Sequence, residues 1–401
     1  MVSVPYAIVP SVINELGAID WSSMSHAYGP ADDVPVWLRE MVSGDPDARK
    51  KAFRGFSSAA HHQGDVYPCT AASLPFLFAM ADGPATPDRA SVIELLLSIG
   101  REASARDVDA VYFAPDGTES TAHADVVADM RGRADAFVRY AADPDRLVRR
   151  AAIEGLSLFL DDADRALEAL NGRLPAEDGT VERLRVVRTI ADLALRLPTA
   201  HAAATARLDA LADDTTSPPD IRLAALLHGA RCTPQDIGRD LVPKAIELLR
   251  QITPAPERTS VNDARGTCTG PCACTPASQP PAAQNVPPQM AAAFEDLERY
   301  NRVHAPTASL LDAFHQVLNA RVPERTTLLT EQLRSSDPAT RYDAIRMTQD
   351  LIQAWRGDHT DLVLLLADCL LPEDPYTAAA AAEALRSLAP VSEPAREALA
   401  S

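Results

Sequence analysis

The polar loop at residues 61–67 holds the densest group of side chains able to do chemistry in this sequence. It reads His-His-Gln-Gly-Asp-Val-Tyr before the chain turns apolar. A shorter polar group, His26-Ala27-Tyr28-Gly29, precedes the first amphipathic segment. Histidine, aspartate and tyrosine side chains can hold a ligand or exchange protons with it. The candidate site residues are therefore His26, Tyr28, His61, His62, Gln63, Asp65 and Tyr67.

These two groups have two open interpretations. In the first, the loop connects two helices, lies next to an N-terminal cap and is joined to it by histidine and tyrosine hydrogen bonds, with no catalytic residue. In the second, cap and loop enclose a pocket. The ligand-binding residues would then be Tyr28, His61, His62, Gln63, Asp65 and Tyr67, and the catalytic residues would be His26, His62, Asp65 and Tyr67.

Three closely spaced cysteines form the other group with possible chemistry. Cys268, Cys272 and Cys274 lie in the stretch CTGPCAC, and His304 is a possible fourth ligand for zinc or a soft metal. Because the paired Cys-x-x-Cys spacing of common zinc sites is missing, we expect no metal and no cofactor, with a metal site or redox-sensitive linker as alternatives. A lone histidine, His315, is expected to be a satisfied surface or groove residue.

Composition predicts an all-α protein. The 401 residues are 46% hydrophobic but only 5% aromatic, and Ala and Leu dominate the apolar fraction, as expected where helices pack closely on helices. The formal net charge of −18 repels phosphate backbones, so we expect no nucleic-acid partner. Pro5, Pro10 and Asn14 interrupt any signal-like apolar run, and the apolar runs are too short to cross a membrane. We therefore expect a cytoplasmic protein without membrane contact.

A repeated Asp-Pro signal predicts how the helices are arranged. Asp45-Pro46, Asp143-Pro144, Asp337-Pro338 and Asp374-Pro375 each follow one helical segment and open an Ala-rich amphipathic one. Aspartate caps orphan helix N–H groups, and proline at the first helical position needs no N–H partner. The last two copies lie about 37 residues apart, close to the period of two-helix solenoid repeats. The pattern predicts a right-handed α-solenoid of HEAT-like helix pairs, an α-α superhelix.

Arginines follow three of these turns by four to six residues. Arg49, Arg149 and Arg341 are expected to bond the turn aspartate of the same or the adjacent repeat, and so to form a structural ladder.

The repeats are interrupted by a segment rich in proline, alanine and small polar residues. Its composition cannot bury enough apolar surface to order by itself. We therefore predict an N-terminal cap and array at residues 1–252, a flexible linker with the cysteine cluster at 253–289, and C-terminal repeats at 290–401.

The first 80 residues resemble a group of bacterial HEAT-repeat proteins common in actinomycetes. The resemblance rests on Trp-Ser, His-Ala-Tyr-Gly, Asp-Val-Pro, His-Gln-Gly, Val-Tyr and Thr-Ala elements within IDWSSMSHAYGPADDVPVW and HHQGDVYPCTAASLPFLFAM. The second histidine and Cys69 depart from that pattern. The resemblance implies an α-solenoid with a binding role and assigns no reaction.

Taken together, the sequence favours a non-catalytic scaffold that holds a protein or peptide on a concave surface lined by the second helix of each pair. The acidic surplus suggests a partner of basic character. The alternative is an enzyme or small-molecule binder whose pocket lies between the cap, with His26 and Tyr28, and the 61–67 loop.

Overall fold

The computed structural model describes residues 13–106, 112–114, 117–252, 308–370, 374–390 and 392–400. Within these ranges the chain is almost entirely helical, which confirms the predicted all-α class. The predicted linker at 253–289, with Cys268, Cys272 and Cys274, lies outside the described residues, as does His304.

The described residues form eighteen α-helices. In unit 1 (Met1–Asp214) they are α1 (Val34–Glu40), α2 (Pro46–Ala59), α3 (Pro68–Asp82), α4 (Arg89–Ser104), α5 (Ala122–Gly132), α6 (Ala134–Ala141), α7 (Arg146–Phe159), α8 (Ala163–Ala176), α9 (Thr180–Arg196) and α10 (Pro198–Asp213). In unit 2 (Thr215–Ser401) they are α11 (Pro219–Cys232), α12 (Leu241–Gln251), α13 (Ala308–Leu318), α14 (Val322–Leu333), α15 (Pro338–Ala354), α16 (Thr360–Asp368), α17 (Pro375–Leu388) and α18 (Glu393–Ala400).

Unit 1 also contains short non-α elements. Two antiparallel hairpins pair β1 (Ser25–His26) with β2 (Gly29–Pro30), and β3 (Tyr112–Phe113) with β4 (Glu119–Ser120). Single 3₁₀ turns are Glu15–Ala18, Trp21–Ser23 and His62–Gly64.

The predicted helix starts are confirmed at most Asp-Pro turns. The side chains of Asp45, Asp337 and Asp374 accept hydrogen bonds from backbone N–H groups in the first turns of α2, α15 and α17. The second copy differs. There Asp145, not Asp143, caps α7, because Asp143 uses Oδ1 to accept from the Asp145 N–H and Oδ2 to bind Arg89.

Unit 1 stacks its helices in two alternating layers. Helix α7 lies between α4 and α9 in one layer, and α8 contacts both α6 and α10 in the other. The core between the layers is closed by buried aromatic rings, with Phe137 packed 5.2 Å from Phe159 and 6.0 Å from Phe78 between ring centroids. Each helix therefore buries its apolar face against its neighbours, the arrangement of an α-solenoid.

Unit 2 repeats the same two-layer stacking. One layer contains α11, α13, α15 and α17, each in contact with the next, and the other contains α12, α14, α16 and α18. Buried residues of this core include Leu311, Leu351 and Leu385, each 0% exposed.

The border between the two units lies at Asp214–Thr215, within the segment predicted as the N-terminal array. The reason is local: α11 packs on α12 and α13, so these helices belong with the C-terminal ones.

The predicted arginine ladder is present, with a wider choice of acidic partners. Nη1 of Arg49, Arg149 and Arg341 donates to the carbonyl oxygen six residues earlier in each case. Arg341 also reaches the turn aspartate of the next repeat, Asp374, at 3.5 Å, as predicted. The forward partners of the other two arginines are Asp88 and Glu177.

Candidate functional site

The N-terminal hairpin and the 61–67 loop lie side by side, as predicted. The backbone N–H of Ala27 donates to the carbonyl of Ala59 at the end of α2, at 3.2 Å. Helix α2 ends at Ala59, and α3 begins at Pro68. In between, Gln63 and Gly64 have φ of 52° and 86°, so the chain reverses through left-handed backbone that favours glycine. We call the predicted site residues the cap–loop cluster.

His26 is held from both ring nitrogens and from one face. The backbone N–H of Tyr28 donates to Nδ1 at 3.1 Å, so the proton lies on Nε2, which donates to Asp33 at 3.0 Å. The ring is 4% exposed and stacks on Trp37, with centroids 5.9 Å apart. Since both nitrogens are occupied, His26 in this arrangement has no lone pair to act as a general base.

Tyr28 and His62 link the hairpin to the loop. The Tyr28 hydroxyl lies 3.3 Å from His62 Nδ1, and the two rings meet edge to face at 5.3 Å. His62 Nδ1 is 2.9 Å from the Ser58 carbonyl, which can only accept, so Nδ1 carries the proton. Tyr28 is 68% exposed. Among the described residues His62 Nε2 has no hydrogen-bond partner, so it is the histidine nitrogen of this cluster that a ligand could reach.

His61 is a buried, fully bonded histidine. It is 7% exposed. Its Nδ1–H donates to the Asp65 carbonyl at 3.0 Å, and Nε2 accepts from the Ser98 hydroxyl at 2.9 Å. Burial lowers the pKa of His61, against smaller raising effects from that carbonyl and from the charges of Glu102 and Asp65. A neutral ring is therefore favoured, and its hydrogen-bonding capacity is used inside the fold.

Asp65 forms an ion pair with Arg106. The Oδ1 to Nη2 distance is 2.5 Å. Their charges also act on His123, whose ring lies 4.6 Å from that of Tyr112. Burial, followed by the charge of Arg106, lowers the pKa of His123. The sequence did not single out Arg106, Tyr112 or His123, because nothing in local spacing shows that the hairpin after α4 folds back on this loop.

The remaining predicted residues have peripheral positions. Gln63 is exposed, and Tyr67 is partly buried at the start of α3. The Tyr67 N–H donates to the Thr70 hydroxyl at 2.9 Å, and that hydroxyl donates to the Ala60 carbonyl. Burial raises the pKa of the Tyr67 hydroxyl, and the nearby Asp65 carboxylate adds to the effect. These contacts fix the entry of the chain into α3.

Metal-binding geometry is absent from the described ranges of the chain: no group of three or more His, Cys, Asp or Glu residues there is placed to hold an ion. Cys69, next to the loop, is fully buried, and burial raises the pKa of its thiol to about 12. Its thiolate is thus suppressed at neutral pH.

A second polar feature of unit 1 was not foreseen. A cleft of about 600 Å³ lies between the α3–α4 connection and the turn that opens α7. We call it the acidic cleft because four aspartates and two arginines line it: Asp82, Asp88, Asp143, Asp145, Arg89 and Arg139.

Both arginines of the acidic cleft are already paired. Arg139 and the Tyr140 hydroxyl bind Asp82 at 3.0 and 2.8 Å, and Arg89 binds Asp143 at 2.9 Å. Leu147, 57% exposed, lies at its rim. The lining thus combines an acidic surplus with an exposed apolar side chain.

Comparison with known proteins adds distant fold likenesses only. No family model matches the chain, and no curated protein matches it. It is similar to a chain of a homology model of the full-length AP-3 complex in an intermediate open conformation, with 12% identity and a TM-score of 0.42 over 98% of this chain; it spans about half of that chain, 56%. It is also similar to a chain of a structure that describes tubulin recruitment and assembly by microtubule polymerases with TOG domain arrays. The identity is 10% and the TM-score 0.20, over 97% of this chain and 94% of that chain.

Likenesses this weak carry no argument about partners, and the fold assignment rests on the helix stacking described above. None of the described helices is long and apolar enough to span a bilayer.

Proposed function

We propose that this protein is a non-catalytic scaffold that binds a protein or peptide of basic character on the α4–α7–α9 layer of unit 1. The observation that carries the proposal is the acidic cleft beside Leu147. Three of its four aspartates are paired with arginines: Asp82 with Arg139, Asp143 with Arg89, and Asp88 with Arg49, which lies outside the lining. The carboxylate of Asp145 is the one left without an arginine partner among the described residues. A lysine or arginine side chain of a partner would complete the charge balance.

Exposed apolar side chains on the same layer give the partner surface to bury. Leu147 on α7 and Val181 and Leu195 on α9 are 57%, 56% and 49% exposed. Apolar contacts ringed by paired charges are typical of protein interfaces.

The alternative function, an enzyme or small-molecule binder at the cap–loop cluster, has weaker support. Both nitrogens of His26 and of His61 are bonded within the fold, and Asp65 is paired with Arg106. A catalytic role would need at least one of these groups to be free. The histidine nitrogen of the cap–loop cluster that a ligand could reach is Nε2 of His62. A cytoplasmic location and membership of the actinomycete-type HEAT group are part of the scaffold proposal.

The test is affinity capture from the native host with the tagged full chain, followed by mass spectrometry. Leu147→Arg removes an exposed apolar contact and places a positive charge at the cleft, so it should abolish recovery of a basic partner. Glu168→Arg is the matched control, since it makes a larger charge change at an exposed position of α8 outside the cleft. Recovery should also weaken as salt is raised, because exposed charge pairs are screened.

The proposal fails if the wild-type chain recovers no protein beyond those on an empty resin. It also fails if both variants recover the same protein equally well.

A further inference from the structure

Unit 2 contains a cleft built around His315, the histidine expected from sequence to be satisfied. Its volume is about 300 Å³, and it lies where α13, α14 and α15 meet. This is the small end of the range of about 300–1,000 Å³ typical of ligand pockets. We call it the His315 cleft; its lining includes Asp312, Arg325, Arg346 and Asp350.

His315 is buried but only half satisfied. It is 4% exposed, and Nε2 lies 3.1 Å from the Gln332 amide oxygen. That oxygen only accepts, so Nε2 carries the proton and Nδ1 presents a lone pair. Nδ1 is buried with no hydrogen-bond partner within the part of the chain that the structure describes. Burial lowers the pKa of His315 to about 4, so the ring is a neutral acceptor at neutral pH.

Arg325 supplies the complementary unsatisfied donor. Its Nη1 donates to the Asn319 carbonyl at 3.1 Å, whereas the buried Nε–H has no partner among the described residues. Burial lowers the pKa of its guanidinium, and Asp350 partly offsets this electrostatically. A buried donor left without a partner has lost its hydration without compensation, so a ligand that accepts from Nε removes that cost.

The charges of the His315 cleft are balanced in number. Arg346 is shared by two carboxylates, at 3.2 Å from Asp312 and 3.6 Å from Asp350. With Arg325 the lining carries two positive and two negative groups. A net anion or net cation would therefore upset the balance, whereas a neutral molecule with both charges would not.

We infer that the His315 cleft binds a small zwitterion, the free α-amino acid being the simplest class. The ammonium group donates to His315 Nδ1 and lies near the aspartates, and the carboxylate accepts from Arg325 Nε–H. Both unsatisfied atoms are thereby paired by one molecule. Met347, the thioether in the lining, provides apolar contact for the amino-acid side chain.

The wild-type full chain is tested by calorimetric titration with three matched probes. L-Alanine has both groups, propionate lacks the ammonium and ethylamine lacks the carboxylate. Alanine should bind at least about tenfold more tightly than either fragment, because each loses a charge-assisted hydrogen bond. A panel of other L-α-amino acids then ranks the side chain. Absence of alanine binding at millimolar concentration, meaning that water alone fills the cleft, would overturn the inference. So would equal binding of either fragment.

A variant localises the effect. Arg325→Met should weaken alanine binding by at least about tenfold, with Arg334→Met, an exposed arginine on the end of α14 outside the cleft, as its control. Circular dichroism checks that both fold. Equal affinities in the two variants would refute the site. If Arg325→Met does not fold, the site is tested in the wild-type chain by the NMR chemical shifts of the His315 ring on addition of alanine. Unchanged ring shifts would refute the site.

Discussion

Arg149 donates hydrogen bonds from Nε and Nη2 to the two carboxylate oxygens of Glu177, at 3.1 and 3.2 Å, while its Nη1 bonds the Asp143 carbonyl at 3.0 Å. One side chain thus ties the turn that opens α7 to the end of α8. Arg49 and Arg341 make the same backbone hydrogen bond, from Nη1 to the carbonyl oxygen six residues earlier. The ladder therefore fixes each turn in its own repeat and joins it to the next, which is how stability is distributed along a solenoid.

Glu177→Ala should strongly destabilise the fold. Glu177 is 1% exposed and also binds Arg173 at 2.5 Å, so its removal leaves two arginines without their buried carboxylate. Removing one partner of a buried pair costs about 3–5 kcal/mol, and we expect about 3 kcal/mol because both arginines are partly solvated. Urea unfolding measures the change, with exposed Glu168→Ala as a control expected within about 0.5 kcal/mol of wild type. Equal losses in the two variants would contradict a stabilising ladder.

The same carboxylate should make stability depend on acid pH. Burial alone would raise the pKa of Glu177, but hydrogen bonds and charge from Arg149 and Arg173 lower it overall. A lowered folded-state pKa means that the contribution is complete above the ordinary glutamate value of ~4.3 and is lost as pH falls through the folded value. The free-energy gap between wild type and Glu177→Gln should therefore shrink below that pH in urea titrations. A gap that stays constant down to the acid transition would exclude this linkage.

Local chemistry made the helices predictable, whereas the contacts between distant segments were not. Asp45 and Pro46 specify the start of α2 by local capping, and α2 begins at Pro46 as predicted. Ser98 and Arg106, the partners of His61 and Asp65, lie 37 and 41 positions further along. Their approach depends on how α4 packs, which no local signal encodes.

The two clefts illustrate the same limit. The acidic cleft arises where two turns meet that are about 60 residues apart in sequence. His315 was expected to be satisfied, since lone histidines usually are. Its unpaired Nδ1 depends on which residues surround it, and these come from three different helices.

Gly155→Ala should destabilise the core, although alanine has a higher helix propensity than glycine. A Cβ at this position of α7 would collide with the ring of Phe137, which is fully buried. Overpacking costs about 1–3 kcal/mol, partly offset by up to about 1 kcal/mol of helix propensity. Gly172→Ala within α8 is the matched control, because nothing lies within 4 Å of its Cβ position. That substitution should raise the midpoint temperature of thermal unfolding. Thermal unfolding in which both substitutions stabilise would disprove the close α6–α7 contact.

His61 should remain neutral below the pH at which histidines ordinarily titrate, ~6.5. Burial lowers its pKa, so its contribution to stability is complete above ~6.5 and is lost as pH falls through the lowered folded value. Ser98→Ala removes the hydroxyl that donates to Nε2 at 2.9 Å and favours the neutral ring, so it should raise the pKa of His61. Ser91→Ala, on the exposed side of the same helix, should leave that pKa unchanged. NMR titration of the ring resonances measures both variants. If wild-type His61 titrates near ~6.5 and Ser98→Ala has no effect, the ring is solvated rather than locked, and the cap–loop cluster regains a histidine available for proton transfer.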